Sequence, residues 1–200
     1  MGGVILVEDR YRTVAREMVT KGKIRRSLFI GHVRETATEK RARDFIAKIK
    51  EEHRQATHNC FAYRVGLGRD EVSYFDDDGE PGGTAGKPIL GAILSRDLTN
   101  VTVVVTRYFG GRKLGIRGLI EAYGAAAGDA IDQAGLVVKR IQVTMDLSCT
   151  YPQLDQVQHL IHQYGGEILQ ADYTDKVELT IALPRSQLAR VRRLLTKLGV

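Results

Sequence analysis

The stretch of sequence that decides the fold is VTVVVTRYFGGRKLGIRG, residues 101–118. It begins with a continuous β-branched run that is long enough for a buried central strand. The backbone then turns on Gly110-Gly111, and a helix is predicted from near Gly115 to about Ala134. Because that helix is rich in alanine and glycine, we expect it to pack very closely against a sheet.

A second glycine-rich stretch, DDDGEPGGTAGKP, precedes it at residues 76–88. It resembles a phosphate-binding loop, but Pro88 follows Lys87 where a Walker loop needs Ser or Thr, and the glycines stand one residue too close. ATP hydrolysis by that route is therefore disfavoured. The acids of residues 76–80 are candidate oxygen ligands for Mg²⁺ or Ca²⁺. The favoured alternative is an acidic turn in which Asp side chains cap backbone N–H groups.

Positive charge is concentrated in two parts of the chain. The formal charge is +6, from 30 Lys+Arg and 24 Asp+Glu, and residues 10–50 hold 13 of these cations against 4 acids. Residues 107–117, called the cationic turn below, hold four cations and no acid. Such patches attract polyanions by counterion release, although a solvated helix face has the same composition. The start of a helix would add a positive dipole end, and Tyr108 and Phe109 offer a stacking face.

The rest of the chain predicts two domains. Residues 23–33 indicate one strand, and Thr36-x-x-Glu39 is a capping-box signature for a helix. Strands follow near residues 59–65 and 72–75, and Pro88 suits the first turn of a helix. Beyond a break at residues 135–139, the order strand–helix–strand–strand–helix fits a small ferredoxin-like unit. We predict an α+β protein with domains at residues 1–137 and 138–200.

Other candidate sites carry weaker signals. His58 and Cys60 would share one face of a strand, as a Cys/His nucleophile pair requires, but plain core is favoured. His159 and His162 are spaced like metal ligands on a helix, yet no local third ligand is visible. We therefore assign no catalytic residue, no metal ligand and no cofactor. Two distant cysteines, no long apolar run and no secretory layout at the start predict a cytoplasmic protein without a membrane span.

The two glycine-rich stretches resemble those of the YigZ/IMPACT family. The resemblance rests on residues 77–88, on the block of residues 103–115 with Gly118-Leu119 and Ala122-Tyr123 after it, and on the His58-x-Cys60 and Ser27–Ile30 segments. It implies a first domain with a ribosomal-protein-like α/β fold of four strands backed by helices. The second domain would be ferredoxin-like and similar to the last domains of elongation factor G.

The resemblance also carries functional implications. Eukaryotic members regulate translation by competing for a scaffold that activates a stress kinase, and nucleic-acid or ribosome binding is the usual proposal for bacterial and archaeal members. No catalytic residues carry over. This chain departs from the family pattern at Arg117, which replaces a glycine and would be strained if the position needs positive φ. A fourth strand that usually ends the second domain would begin where Gly199-Val200 stand, so an edge strand is expected to lie open to a partner.

We therefore predict a non-enzymatic, translation-linked regulatory or binding protein that contacts RNA or the ribosome through a basic surface and a glycine-rich groove. The alternatives are a metal-dependent enzyme acting on a phosphorylated or nucleotide substrate, and a protein-interaction module with a regulatory protein partner. The predicted groove residues come from both glycine-rich stretches: Asp77, Asp78, Gly79, Glu80, Pro81, Thr84, Gly86, Lys87, Arg107, Tyr108, Gly110, Gly111, Arg112, Lys113, Gly115 and Arg117.

Overall fold

The computed structural model describes residues 9–200, which form two compact α+β units. One unit is residues 12–138, and the other joins residues 139–200 with residues 9–11. The predicted fold class, α+β with two domains, is confirmed. The domain boundary at 137/138 stays a prediction.

The first unit is built on a five-stranded sheet, where the resemblance implied four strands. In chain order the strands of this part are β1 (Arg10–Val14), β2 (Met18–Ile24), β3 (Ser27–Glu35), β4 (His58–Val65), β5 (Val72–Asp76), β6 (Val101–Tyr108) and β7 (Leu136–Arg140). The sheet order is β2-β3-β6-β4-β5, with all neighbours antiparallel, and β1 pairs with β7 separately. The β-branched run of β6 is central and buried, as predicted.

Three helices cover the sheet: α1 (Glu39–Glu52), α2 (Gly86–Leu94) and α3 (Gly115–Ala134). One core cluster joins α2 and α3 to one set of strand side chains, such as Phe29 and Val103, and another joins α1 to the alternate set, such as Phe61. Side chains alternate along a strand, so α1 lies on the opposite face from α2 and α3. A Cβ on Gly31 would lie 2.6 Å from the Ala126 carbonyl oxygen, which shows how closely α3 packs on β3.

The second unit contains β8 (Gln142–Cys149), α4 (Leu154–Gln163), β9 (Glu167–Tyr173), β10 (Val177–Pro184) and α5 (Leu188–Lys197), in the predicted order. The antiparallel sheet has the order β8-β10-β9, and its core includes Val157, Ile161 and Val191 from the two helices. Within residues 9–200, no strand pairs with the outer edge of β8.

Local predictions differ from the structure at three places. Residues 23–33 are not one strand, because the chain turns at Arg25-Arg26 between β2 and β3, a turn that no Gly, Asn or Pro announces. The N-cap of α1 is Thr38, whose hydroxyl accepts from the Arg41 N–H, while the Thr36 hydroxyl bonds Thr102 instead. Strand β7 also occupies part of the predicted break. Across the described residues, no helix has the length and apolar character that crossing a membrane requires.

Candidate functional site

A buried ion pair joins the two glycine-rich stretches. Arg107 Nη1 donates to Glu80 Oε1 at 2.6 Å, and the side chains are only 5% and 4% exposed. The Tyr123 hydroxyl on α3 donates to the same oxygen at 2.7 Å, and His58 Nε2 lies 3.8 Å from it. The acidic and the cationic glycine-rich stretches are therefore joined, as predicted, but by an ion pair that lies below the protein surface.

Further contacts besides the ion pair hold the Arg107 guanidinium in place. Its Nη2 donates to Ser27 Oγ at 3.3 Å, and its guanidinium lies over the rings of Phe29 and Phe109, at 5.6 and 5.4 Å from their centroids. Its Nε finds no hydrogen-bond partner among residues 9–200. Arg107, predicted as part of a surface groove, therefore does not present its charge to solvent.

Asp77 organises the first glycine-rich stretch. Its carboxylate accepts from the N–H groups of Gly83 at 2.7 Å, Ala85 at 2.9 Å and Gly86 at 2.8 Å. Burial by itself raises the pKa of Asp77, but the three hydrogen bonds outweigh it and leave that pKa below its ordinary value. The carboxylate thus satisfies the start of α2, as the capping interpretation expected.

The neighbouring acid is also engaged by protein groups. Asp78 accepts from Lys50 Nζ and from the Asn59 N–H, each at 2.6 Å. The turn is closed further by the Thr84 hydroxyl, which donates to the Pro81 carbonyl at 2.6 Å. The residues that the structure describes contain no cluster of three or more His, Cys, Asp or Glu side chains arranged to hold a metal ion.

His58 and Cys60 lie beside this turn but are not arranged as a nucleophile pair. His58 Nδ1 is 2.8 Å from the Asp78 carbonyl oxygen, and the Cys60 thiol donates to the Asp77 carbonyl at 3.0 Å. Burial raises the pKa of Cys60 to about 12, and burial likewise raises the pKa of Tyr123. At neutral pH Cys60 is therefore a protonated thiol with a structural hydrogen bond.

The cationic turn presents a different set of groups to solvent. Arg112 and Lys113 are exposed, and α3 begins directly after them with no side-chain cap and no acid in its first turn. Gly111 and Gly115 have φ of 84° and 74°, values that favour glycine. Arg117 is an ordinary helical residue that pairs with Glu121 at 2.9 Å, so it adds a partly neutralised cation without strain.

Two other predicted residues, Tyr108 and Lys87, lie apart from the buried pair, and Gly110 adjoins it through Ser27. Tyr108 faces the α1 side of the sheet, where its hydroxyl is 2.9 Å from His53 Nδ1, because it alternates with Arg107 along β6. Lys87 is exposed near the start of α2, and Gly110 packs against the Arg26 carbonyl oxygen. The predicted groove residues therefore divide into a buried network, a capped acidic turn and an exposed cationic turn.

Part of the positive charge in residues 10–50 is paired with nearby acids. On α1, three ion pairs join residues one helical turn apart: Lys40–Asp44, Arg43–Glu39 and Lys48–Glu52. Helix α1 therefore carries a solvated charged face, which is the alternative to a polyanion-binding patch that composition alone did not exclude. Lys21, Lys23, Arg25 and Arg26 are exposed, and no ion pair involves them within residues 9–200.

Sequence reasoning missed several members of the buried network, namely Ser27, Phe29 and Tyr123 as partners of Arg107 and Glu80. Tyr123 gave a usable signal, because it is a large side chain in a helix segment otherwise made of small residues. Ser27 and Phe29 lie in a segment that carries the family resemblance, but nothing in it indicated a contact with Arg107, because that contact depends on the pairing of β3 with β6.

These features define a class: a two-domain α+β protein whose paired glycine-rich stretches are locked by a buried ion pair. The Impact N-terminal domain model matches residues 25–131, and the model for a domain of unknown function, DUF1949, matches residues 147–199. The chain belongs to the IMPACT family.

Relatives match over most of the chain. IMPACT family member YvyE of Bacillus subtilis is 40% identical over 155 residues, which cover 78% of this chain and 71% of the relative. IMPACT family member YigZ of Escherichia coli is 37% identical over 168 residues, covering 84% and 82%. A crystal structure described as that of a hypothetical protein has a TM-score of 0.70 at 33% identity, covering 96% of this chain and 94% of its own. Protein IMPACT of Mus musculus matches over 94 residues at 35% identity, covering 46% of this chain and 29% of the mouse protein.

Proposed function

We propose that this protein is a non-enzymatic, translation-linked regulatory protein that binds RNA, free or within the ribosome, through the cationic turn. The observation that carries the proposal is the exposed start of α3, where Arg112 and Lys113 stand free of ion pairs within residues 9–200. Membership of the IMPACT family favours the link to translation, because the family resemblance implies that role for its eukaryotic branch.

The contrast between the two helix starts supports an anionic ligand at α3. The N–H groups at the start of α2 already bond the Asp77 carboxylate. The start of α3 has neither a side-chain cap nor a first-turn acid, and cations rather than carboxylates precede it. Helix N-termini favour negative charge, and phosphate is the anion that an RNA backbone supplies repeatedly.

The test is the affinity of the full chain for RNA as a function of salt. We expect Arg112→Ala with Lys113→Ala to weaken binding and to reduce the slope of log K against log salt by about 1.4, since each phosphate contact to a single strand contributes roughly 0.7. Arg69→Ala with Lys176→Ala removes the same charge from two other exposed sites and serves as control. Equal effects of the two double variants would refute the assignment of this site.

A further inference from the structure

The hairpin between β2 and β3 turns on two strained arginines. Ile24 pairs with Ser27, and the two residues between them, Arg25 and Arg26, have φ of 44° and 74°. A two-residue hairpin turn with positive φ at both positions strongly prefers Asn-Gly or Gly-Gly, because L side chains are strained there. Strain of this kind concentrates at functional sites, and both side chains are exposed.

This hairpin tip, Arg25-Arg26, lies directly against the cationic turn. A Cβ on Gly110 would collide with the Arg26 carbonyl oxygen, so only glycine lets the two backbones approach. The Gly110 N–H also donates to Ser27 Oγ at 3.4 Å. The tip therefore places two more cations beside Arg112 and Lys113, from a part of the chain far away in sequence.

Phe109 lies at the junction of the two segments and is held in place. Its ring lies 5.4 Å from the buried Arg107 guanidinium, and its backbone N–H donates to Thr57 Oγ1 at 2.9 Å. Phe109 nevertheless remains 45% exposed. Because protein contacts already restrict this ring while part of it is open to solvent, it loses little conformational freedom when a flat group stacks on it.

We propose that the hairpin tip and Phe109 bind a single-stranded segment of RNA, with an unpaired base stacked on Phe109 and its neighbouring phosphates on Arg25, Arg26 and Arg112. The inference rests on the proposed function and specifies its ligand. Cations around an exposed aromatic ring match the chemistry of single-stranded nucleic acid. A duplex keeps its bases stacked inside, so it cannot use the ring.

The test uses the full chain, a labelled oligouridine of about ten nucleotides, and an RNA duplex of the same length, with affinity measured by fluorescence anisotropy. Arg25→Asn with Arg26→Gly removes both charges while supplying the residues that the turn prefers. We expect this variant to lower the salt slope for oligouridine by about 1.4. Its midpoint of thermal unfolding should stay the same or rise, which would show that the weaker binding does not result from unfolding.

Phe109 is tested separately from charge. We expect Phe109→Leu to weaken oligouridine binding by about 5- to 100-fold without changing the salt slope, whereas Phe109→Tyr retains most of the affinity. Arg192→Ala with Arg193→Ala, an adjacent exposed pair in α5, is the charge-matched control and leaves the slope near its original value.

The outcomes separate this inference from the proposed function. If Arg112→Ala with Lys113→Ala weakens RNA binding but the hairpin and Phe109→Leu variants do not, the inference is wrong and the proposed function stands. Binding of the duplex as tightly as the single strand would also overturn the inference. If the unaltered chain binds neither RNA, the proposed function fails and the inference fails with it.

Discussion

Arg107 is a cation that folding removes almost completely from water. Taking both members of an ion pair out of water is costly, and the attraction between Arg107 and Glu80 offsets that cost only because Tyr123 and Ser27 supply further hydrogen bonds. The net stabilisation from such a pair is small. Its consequence is positional, because β6, the acidic turn and α3 must meet in one arrangement for these hydrogen bonds to form.

Removing one member of the pair should be far more damaging than its net contribution suggests. We expect Arg107→Met to lower the free energy of unfolding by about 3–5 kcal/mol, because it leaves Glu80 buried without its cation. Urea unfolding of the full chain measures this. Arg117→Met, which removes an exposed arginine from a surface pair, should change stability by less than about 0.5 kcal/mol.

A double variant distinguishes the ion pair from general packing. Arg107→Met combined with Glu80→Leu removes both charges, and we expect it to be more stable than Arg107→Met alone. A double variant at least as unstable as the sum of its single variants would contradict this account.

At this scale the sequence anticipated the capping role of Asp77 but not the burial of Glu80 and Arg107. Asp77 was favoured as a capping residue, and its three N–H contacts fit that interpretation. Arg107 is in phase with Val103 and Val105, so strand alternation places it on the face of α2 and α3. Because β6 is buried on both faces, no change from apolar to polar marked which face was which.

The N–H groups at the start of helix α2 are capped by the Asp77 carboxylate, and the helix's own N-cap residue provides no side-chain cap. We expect Asp77→Asn to destabilise the protein by about 1–3 kcal/mol, because an amide can offer only one acceptor oxygen to the three N–H groups. Amide hydrogen exchange should quicken in residues 83–94 before other regions. Asp70→Asn, at an exposed acid outside this turn, should leave exchange unchanged.

Two histidines, His53 at the end of α1 and His32 on β3, lie close together where the helix packs on the sheet. His32 on β3 is 4% exposed, its Nε2 lacks a hydrogen-bond partner within residues 9–200, and its ring centroid lies 5.0 Å from that of His53. Burial, followed by the neighbouring His53 and to a smaller extent Lys21, lowers the pKa of His32 to about 4, while Glu52 opposes this shift.

This contact should make stability depend on pH. The unfolded chain binds a proton at His32 below about pH 6.5, whereas the folded chain resists protonation until about pH 4, so the free energy of unfolding falls as pH is lowered between these values. We expect His32→Gln to show a smaller loss between pH 7 and pH 5 in urea unfolding. Gln163→Asn, at an exposed position of α4 that does not titrate, should keep the original pH dependence.

Element prediction succeeded where periodicity was long and failed where the turn chemistry was unusual. The small-residue helix was predicted to end near Ala134 and does so, and the second unit has the predicted order of elements. The β2–β3 hairpin was missed because Arg25 and Arg26 occupy positions where glycine or asparagine is the expected signal. The same residues that hid the turn are those that the proposed RNA site requires.

At the scale of the whole molecule, the two units are not successive stretches of chain. Asp9 belongs with residues 139–200: the Ile141 N–H donates to the Asp9 carbonyl at 2.6 Å, and the Ser186 hydroxyl bonds the Asp9 carboxylate. The pattern of strands and helices predicted the α+β class and the order of the second unit. It could not predict these contacts, because a single acid before β1 carries no periodic signal.

Removing the Asp9 side chain should affect the second unit alone. We expect Asp9→Ala to lower its stability by about 1–3 kcal/mol, since a charged acceptor is lost from the segment before α5. Faster amide exchange at residues 186–190, with unchanged exchange in α3, would support this. Asp175→Ala is the control, at an exposed turn position, and an equal response to it would contradict the prediction.

The buried pair also has a consequence for folding rates. Ser27 and Arg107 are 80 residues apart in the chain, and Glu80 and Tyr123 are 43 apart, so the cluster needs distant segments to assemble and dry before its bonds form. Contacts that form after the transition state act on the unfolding rate. We therefore expect Arg107→Met to shorten the lifetime of the folded state while leaving the refolding rate nearly unchanged in stopped-flow measurements. The pair is therefore expected to form late in folding, so that it slows unfolding more than it speeds refolding.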